Sequence, residues 1–178
     1  MGYHTEFTGE FTLDKALSND QRLYLQKFNE TRRIKRNAES VKDVPDPLRE
    51  KVGLPVGEDG GYCVAEVGHV VDNNTPPGQL ATTRHSSFRE IWKANQSMIQ
   101  TGSCQPGLWC KWVPNDDGTA IEWDGMEKFY YYVEWIEYLI KHFLGPWGIS
   151  VNGSVTFEGD DDEDRGRIEI VNNKVKKI

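Results

Sequence analysis

Long apolar runs are missing from this chain. Its 178 residues hold no uninterrupted hydrophobic stretch longer than a few residues, whereas a helix needs about 20 to cross a bilayer, so no membrane span is expected. Cysteine is sparse and odd in number, three in all. That argues against a disulfide framework and points to a reducing, cytoplasmic setting. The opening MGYHTEF has neither a basic stretch nor an apolar core, so it does not read as a secretory signal. Glu6 stands where a myristoylation motif wants Ser or Thr. Phosphate-cradling glycine loops, a nucleophile elbow and a metalloprotease His pair are absent too. The four histidines, His4, His69, His85 and His142, fall in no catalytic spacing. No cofactor is expected, and the balance leans away from an enzyme.

Charge is present but unevenly spread around a net of -7. Nine basic and five acidic residues lie between Arg22 and Lys51, and five basic and one acidic follow from Arg165 onward. Between Asn115 and Asp164 the balance reverses to two basic and thirteen acidic residues. An acidic middle of this kind repels a phosphate backbone and attracts a basic partner. Direct binding of nucleic acid is therefore disfavoured, and TRRIKR at 31–36 is read as cations suited to the end of a helix dipole.

Residues 3–13 alternate, with Tyr3, Phe7, Phe11 and Leu13 on one side, which predicts a half-buried strand. Ser18-Asn-Asp-Gln21 is a capping box opening a helix that buries Tyr24, Leu25 and Phe28. Residues 37–107 hold six of the eight prolines and are read as one long insertion. It is expected to carry short strands at 62–67 and 69–71 and a short helix at 86–99. LWCKWV and TAIEW then predict two strands joined by a PNDDG turn. Asp124, with Glu127 three positions on, is expected to cap a long helix that stops at Gly145-Pro146. Residues 149–157 and RIEIV read as strands, with VKKI as a tail.

The order strand, helix, insertion, strand, strand, helix, strand, strand predicts an α+β protein. Its expected form is a ferredoxin-like split βαβ sandwich: an antiparallel sheet, two helices on one face, and an extra C-terminal edge strand. The chain is read as a single domain, 1–178, with 37–107 inserted between the first helix and the second core strand.

The aromatic helix suggests a site. Residues 122–148 hold three of the six tryptophans and four of the seven tyrosines. Phe129, Val133, Ile136, Ile140 and Phe143 form the stripe expected to cover the sheet. Tyr131, Trp135, Tyr138 and His142 form a second row beside it. With Trp109, Trp112 and the acidic run Asp160, Asp161, Asp162, this row makes a candidate surface for a basic protein partner. A nucleotide or other small ligand is the alternative, held by aromatics with polar contacts from Asn74, Thr75 or Gln105. A third possibility is a metal-assisted hydrolase built on Cys63, His69, Glu122 or Asp124. Cys63, His69, Cys104 and Cys110 are the potential zinc ligands. Each pair has five intervening residues where common zinc knuckles use two to four, so no metal is expected. Asp160, Asp162 and Asp164 imitate a calcium loop, but Arg165 and Val171 occupy its glycine and glutamate positions, so a solvated turn is preferred.

QPGLWCKWVP, GTAIEWDGMEKFYYYVEWIEYLI and PWGISVNGSVTFEG, with the opening GYHTEFTGEFTLDKALSNDQ and the terminal DRGRIEIVNNKV, resemble a family of small uncharacterised phage and bacterial proteins. The resemblance implies no activity and no catalytic residues. It implies a phage or prophage setting, in which a host protein in the host cytoplasm, such as a defence or nucleic-acid-handling factor, becomes the expected partner.

Overall fold

Strand alternation at the start of the chain gives β1, Thr5–Leu13, which buries Thr5, Phe7 and Phe11 and exposes Glu6, Thr8 and Glu10. The computed structural model describes residues 2–31, 33, 38–65, 105–107 and 109–178. Over these the chain divides into two compact units, one built from 1–29 and 110–178 and the other from 30–109.

In the first unit β1 is followed by α1, Asn19–Glu30. The capping box forms as its sequence requires: Gln21 N–H donates to Ser18 Oγ at 3.1 Å, and Ser18 N–H donates to Gln21 Oε1 at 2.9 Å. The chain re-enters this unit at β2, Trp112–Pro114, and β3, Ala120–Trp123. Their turn is organised by Asn115, whose Oδ1 accepts from the N–H groups of Thr119 and Ala120. Next comes α4, Tyr132–Leu139, continued by a π-helical turn over Ile140–Leu144. Three strands close the unit: β4, Val151–Gly159; β5, Arg165–Val171; and β6, Lys174–Lys177. The result is one open six-stranded antiparallel sheet in the order β2-β3-β1-β4-β5-β6.

Register places the apolar residues on one face. Phe7 lies opposite Phe157, Phe11 opposite Ile121 and Gly153, and Val155 opposite Ile168. Phe11, Ile121, Val155 and Ile168 are wholly buried. Aromatics join this face to the helices: Tyr132 lies edge-on to Phe7 at 4.9 Å, Phe28 of α1 packs on Trp135 at 5.9 Å and on Phe143 at 5.1 Å. Each fully buried Phe contributes roughly 1.5–3 kcal/mol of transfer free energy. Close packing leaves no room for a side chain at two glycines. A Cβ at Gly166 would stand 2.6 Å from the Phe157 ring, and at Gly153, φ 124°, 3.1 Å from the Glu10 carbonyl oxygen. The other face is polar, carrying Thr8, Thr12, Ser154, Thr156 and Arg167.

Three expectations are corrected here. The aromatic helix does not begin at Asp124. Phe129 is drawn into the core between Trp112 (5.2 Å) and Phe7 (5.7 Å). The chain reaches it through left-handed backbone at Lys128 and Tyr131, so helix starts only at Tyr132. The VKKI tail is part of a strand: Asn172 and Asn173 both have positive φ, as a tight two-residue hairpin demands, and β6 pairs with β5 as far as Ile178, whose N–H donates to the Arg167 carbonyl. Two strands thus extend the sheet beyond β4. Finally, α1 ends at Glu30, before the basic run.

Among its described residues the second unit contains α2, Ala38–Val41, and α3, Pro47–Lys51, with a 3-10 turn at Glu58–Gly60. Its described part is organised by buried polar groups. Arg33 is fully buried and donates to the carbonyl oxygens of Thr31, Gly61 and Cys63 at 2.9, 3.1 and 2.8 Å. It therefore anchors backbone, in place of the helix-dipole role expected of its run. Asp46 accepts from Val64 N–H at 2.9 Å and lies 3.4 Å from Arg49 Nε, both side chains being buried. Tyr62–Ala65 form no strand. Residues 66–67 of that expected strand, the strand at 69–71 and the helix at 86–99 lie outside the described residues.

Candidate functional site

Antiparallel register brings the start of β1, the end of β3, the end of β4 and the start of β5 to the same end of the sheet. The acidic run closes the β4–β5 connection there. The residues that open the chain hold it in place. His4 N–H donates to Asp160 Oδ2 at 2.6 Å, and Asp160 N–H donates back to the His4 carbonyl at 3.0 Å. Tyr3 Oη donates to Asp164 Oδ2 at 2.6 Å. That bond to a carboxylate is the main cause raising the Tyr3 hydroxyl above its usual pKa, so it stays protonated. Two acids of the run therefore fix its shape, while Asp161, Asp162 and Glu163 remain exposed. Arg165 answers part of this charge through Asp162 at 2.9 Å and Glu158 at 3.0 Å. Pairs this exposed contribute little to stability.

On the other side of Tyr3 and His4 lies the loop 124–131. The His4 ring is 6.4 Å from that of Trp123, and Trp123 Nε1 donates to the Met126 carbonyl at 3.2 Å. Asp124 shapes this loop, accepting from Met126 N–H and from Asn29 Nδ2, each at 2.8 Å. Met126 and Tyr130 project from it, 62% and 55% exposed.

The helical row is divided by the fold. Trp135 is fully buried, against Phe28 and Tyr138, and so presents no surface. Trp112 is buried as well, its indole N–H donating to the Tyr132 carbonyl at 2.8 Å. Tyr131 is half-buried at the left-handed start of α4. Tyr138 and His142 are half-buried and stacked at 4.1 Å. Burial, with a smaller push from Lys141, lowers the His142 pKa. Burial and Glu134 raise that of Glu137. Trp109, in the second unit, is 42% exposed.

Of the ligand candidates, Gln105 is buried and donates to the Gly61 carbonyl at 2.7 Å. Asn74 and Thr75 lie outside the described residues. So do His69 and Cys104, while Cys63 and Cys110 are buried. Among the described residues no group of three or more His, Cys, Asp or Glu is placed to hold a metal ion, and no helix is long and apolar enough to cross a membrane. Glu122 is a half-buried strand residue facing Val113. The clasp of Tyr3 and His4 on the acidic turn had no local signal, its partners being more than 150 positions apart in sequence.

Fold and site together define an α+β protein with a six-stranded antiparallel sheet and an acidic, partly aromatic end. Comparison with models of known protein families, with curated proteins and with solved structures returns no match.

Proposed function

We propose that this protein is a non-catalytic binding module that docks a basic protein. The observation that carries the reading is the exposed acidic turn at Asp161, Asp162 and Glu163, held in one shape by the bonds from Tyr3 and His4. A fixed anionic surface steers a cationic partner and loses less freedom on binding than a mobile one. The resemblance to phage and bacterial proteins supports a host protein as that partner, met in the host cytoplasm. The fold reading that goes with it is a split βαβ sandwich, 1–178, with 37–107 as its insertion and two added strands. What supports it is the order β4-β1-β3-β2 within the sheet, with α1 and α4 as the two crossovers.

The test is capture from host lysate by immobilised protein, followed by elution with rising salt. Wild type is expected to retain proteins that the combined Asp161→Asn, Asp162→Asn, Glu163→Gln variant does not. Identical capture by the two overturns the proposal.

A further inference from the structure

The acidic turn attracts, but a charged tip alone gives a partner no anchor. The same end of the sheet supplies one. Tyr3 is 37% exposed, Met126 62% and Tyr130 55%. Register and contacts bring the segments that carry them to one end of the sheet: Gly2 lies against the Lys128 side chain, His4 beside Trp123, and Tyr3 and His4 bond to the acidic turn. The loop that bears Met126 and Tyr130 and the anionic turn thus flank residues 2–4.

We infer that this end, with Met126 and Tyr130 as anchors and Asp161–Glu163 as the rim, is the docking surface. Its occupant is a protein segment in which lysine or arginine flanks an aliphatic or aromatic side chain. The inference rests on the binding role proposed above and gives it a place.

Three properties select that occupant. The loop bearing the anchors is held from beneath: Phe129 is 3% exposed in the core, and Asp124 ties Met126 N–H to Asn29 of α1. Anchors on a fixed support keep the entropy cost of docking low. A flexible thioether adapts to an apolar side chain, and a tyrosine offers both contact area and a ring face for a cation. The rim then selects by sign. Among the described residues, exposed Asp161, Asp162 and Glu163 stand beside Arg165, which is already paired, and the exposed Lys128 between the anchors is outnumbered by them and by exposed Glu127. A phosphate backbone or an anionic bilayer is repelled, and so is the same end of a second copy of a chain of net charge -7.

The experiment uses the full chain and three labelled synthetic peptides of equal length, read by fluorescence anisotropy. One contains lysine and serine around two central leucines, one has those leucines replaced by serine, and one is the glutamate counterpart of the first. The lysine–leucine peptide is expected to bind, with affinity falling as salt rises. The lysine–serine peptide should bind about tenfold more weakly and the glutamate peptide not at all. The double variant Met126→Ser, Tyr130→Ser changes only exposed side chains, and circular dichroism checks its fold. It should reduce lysine–leucine binding to the level of the lysine–serine peptide. If both lysine peptides bind alike, or the double variant binds as wild type does while the neutralised acidic turn does not, the anchors are wrong and the binding role stands. If neither lysine peptide binds, or anionic vesicles or RNA bind in their place, the inference is overturned; the lysate comparison then decides the binding role separately.

Discussion

Ser18 and Gln21 close the first turn of α1 on each other, each side chain accepting from the other's backbone N–H. Ser18→Ala leaves one of those N–H groups without its acceptor. The loss expected is about 1 kcal/mol, read as a lower urea midpoint at unchanged slope. His142 is held neutral by burial against Tyr138, with Lys141 adding to the effect. Its folded pKa lies below the ordinary value, so the unfolded chain binds its proton first as pH falls. Stability is unaffected by this group above about pH 6.5 and declines as pH drops through that value toward the folded pKa. His142→Gln removes the proton acceptor. It is expected to flatten the fall in melting temperature below about pH 6.5 and to leave the slope above it unchanged. Asp160 and Asp164 show a different use of charge: both accept hydrogen bonds from the opening residues, while their neighbours Asp161, Asp162 and Glu163 stay exposed.

Among the elements, β4 depends on a residue without a side chain. Gly153 sits at φ 124° opposite Phe11. Gly153→Ala adds a Cβ in a backbone region closed to it and close to the Glu10 carbonyl, so a loss of roughly 1–3 kcal/mol is expected in thermal and urea unfolding. Elements specified by their own residues were legible in the sequence. β1 alternates, α1 carries its cap, and Asn115 to Thr119 hold turn residues between two apolar runs. Elements specified by distant packing were not. Asp124 and Glu127 obey the rules of a helix start, yet the Asp124 carboxylate is occupied by Met126 and by Asn29, and the core claims Phe129. The candidate site divides in the same way. Its acidic turn is visible as composition. The exposure of Met126 and Tyr130 follows from the left-handed turns around them, and nothing in the local pattern of DGMEKFYY marks those turns. Trp135, by contrast, has the spacing of a surface row and is buried because Phe28 of α1 packs against it.

For the whole molecule, the unit made from 1–29 and 110–178 receives its two segments at adjoining points. Asn29 Nδ2 donates to the Cys110 carbonyl at 2.8 Å, a gap that a few residues at about 3.3 Å each can bridge. Replacing 31–109 by a short glycine–serine linker is expected to leave a chain with the far-ultraviolet dichroism of a β-rich protein and one cooperative melt. A broad, non-cooperative melt would show that the first unit needs the second. Among the described residues the borders of the sheet have a consequence of their own. One is the three-residue β2, ending in Pro114, which lacks an N–H; the other is β6, with Lys174, Lys176 and Lys177 in a four-residue strand. Neither offers a long uncharged template on which another chain could continue the hydrogen-bond ladder. Concentrated solutions should therefore resist growing fibrils, and that resistance should weaken when Lys174, Lys176 and Lys177 are replaced by glutamine.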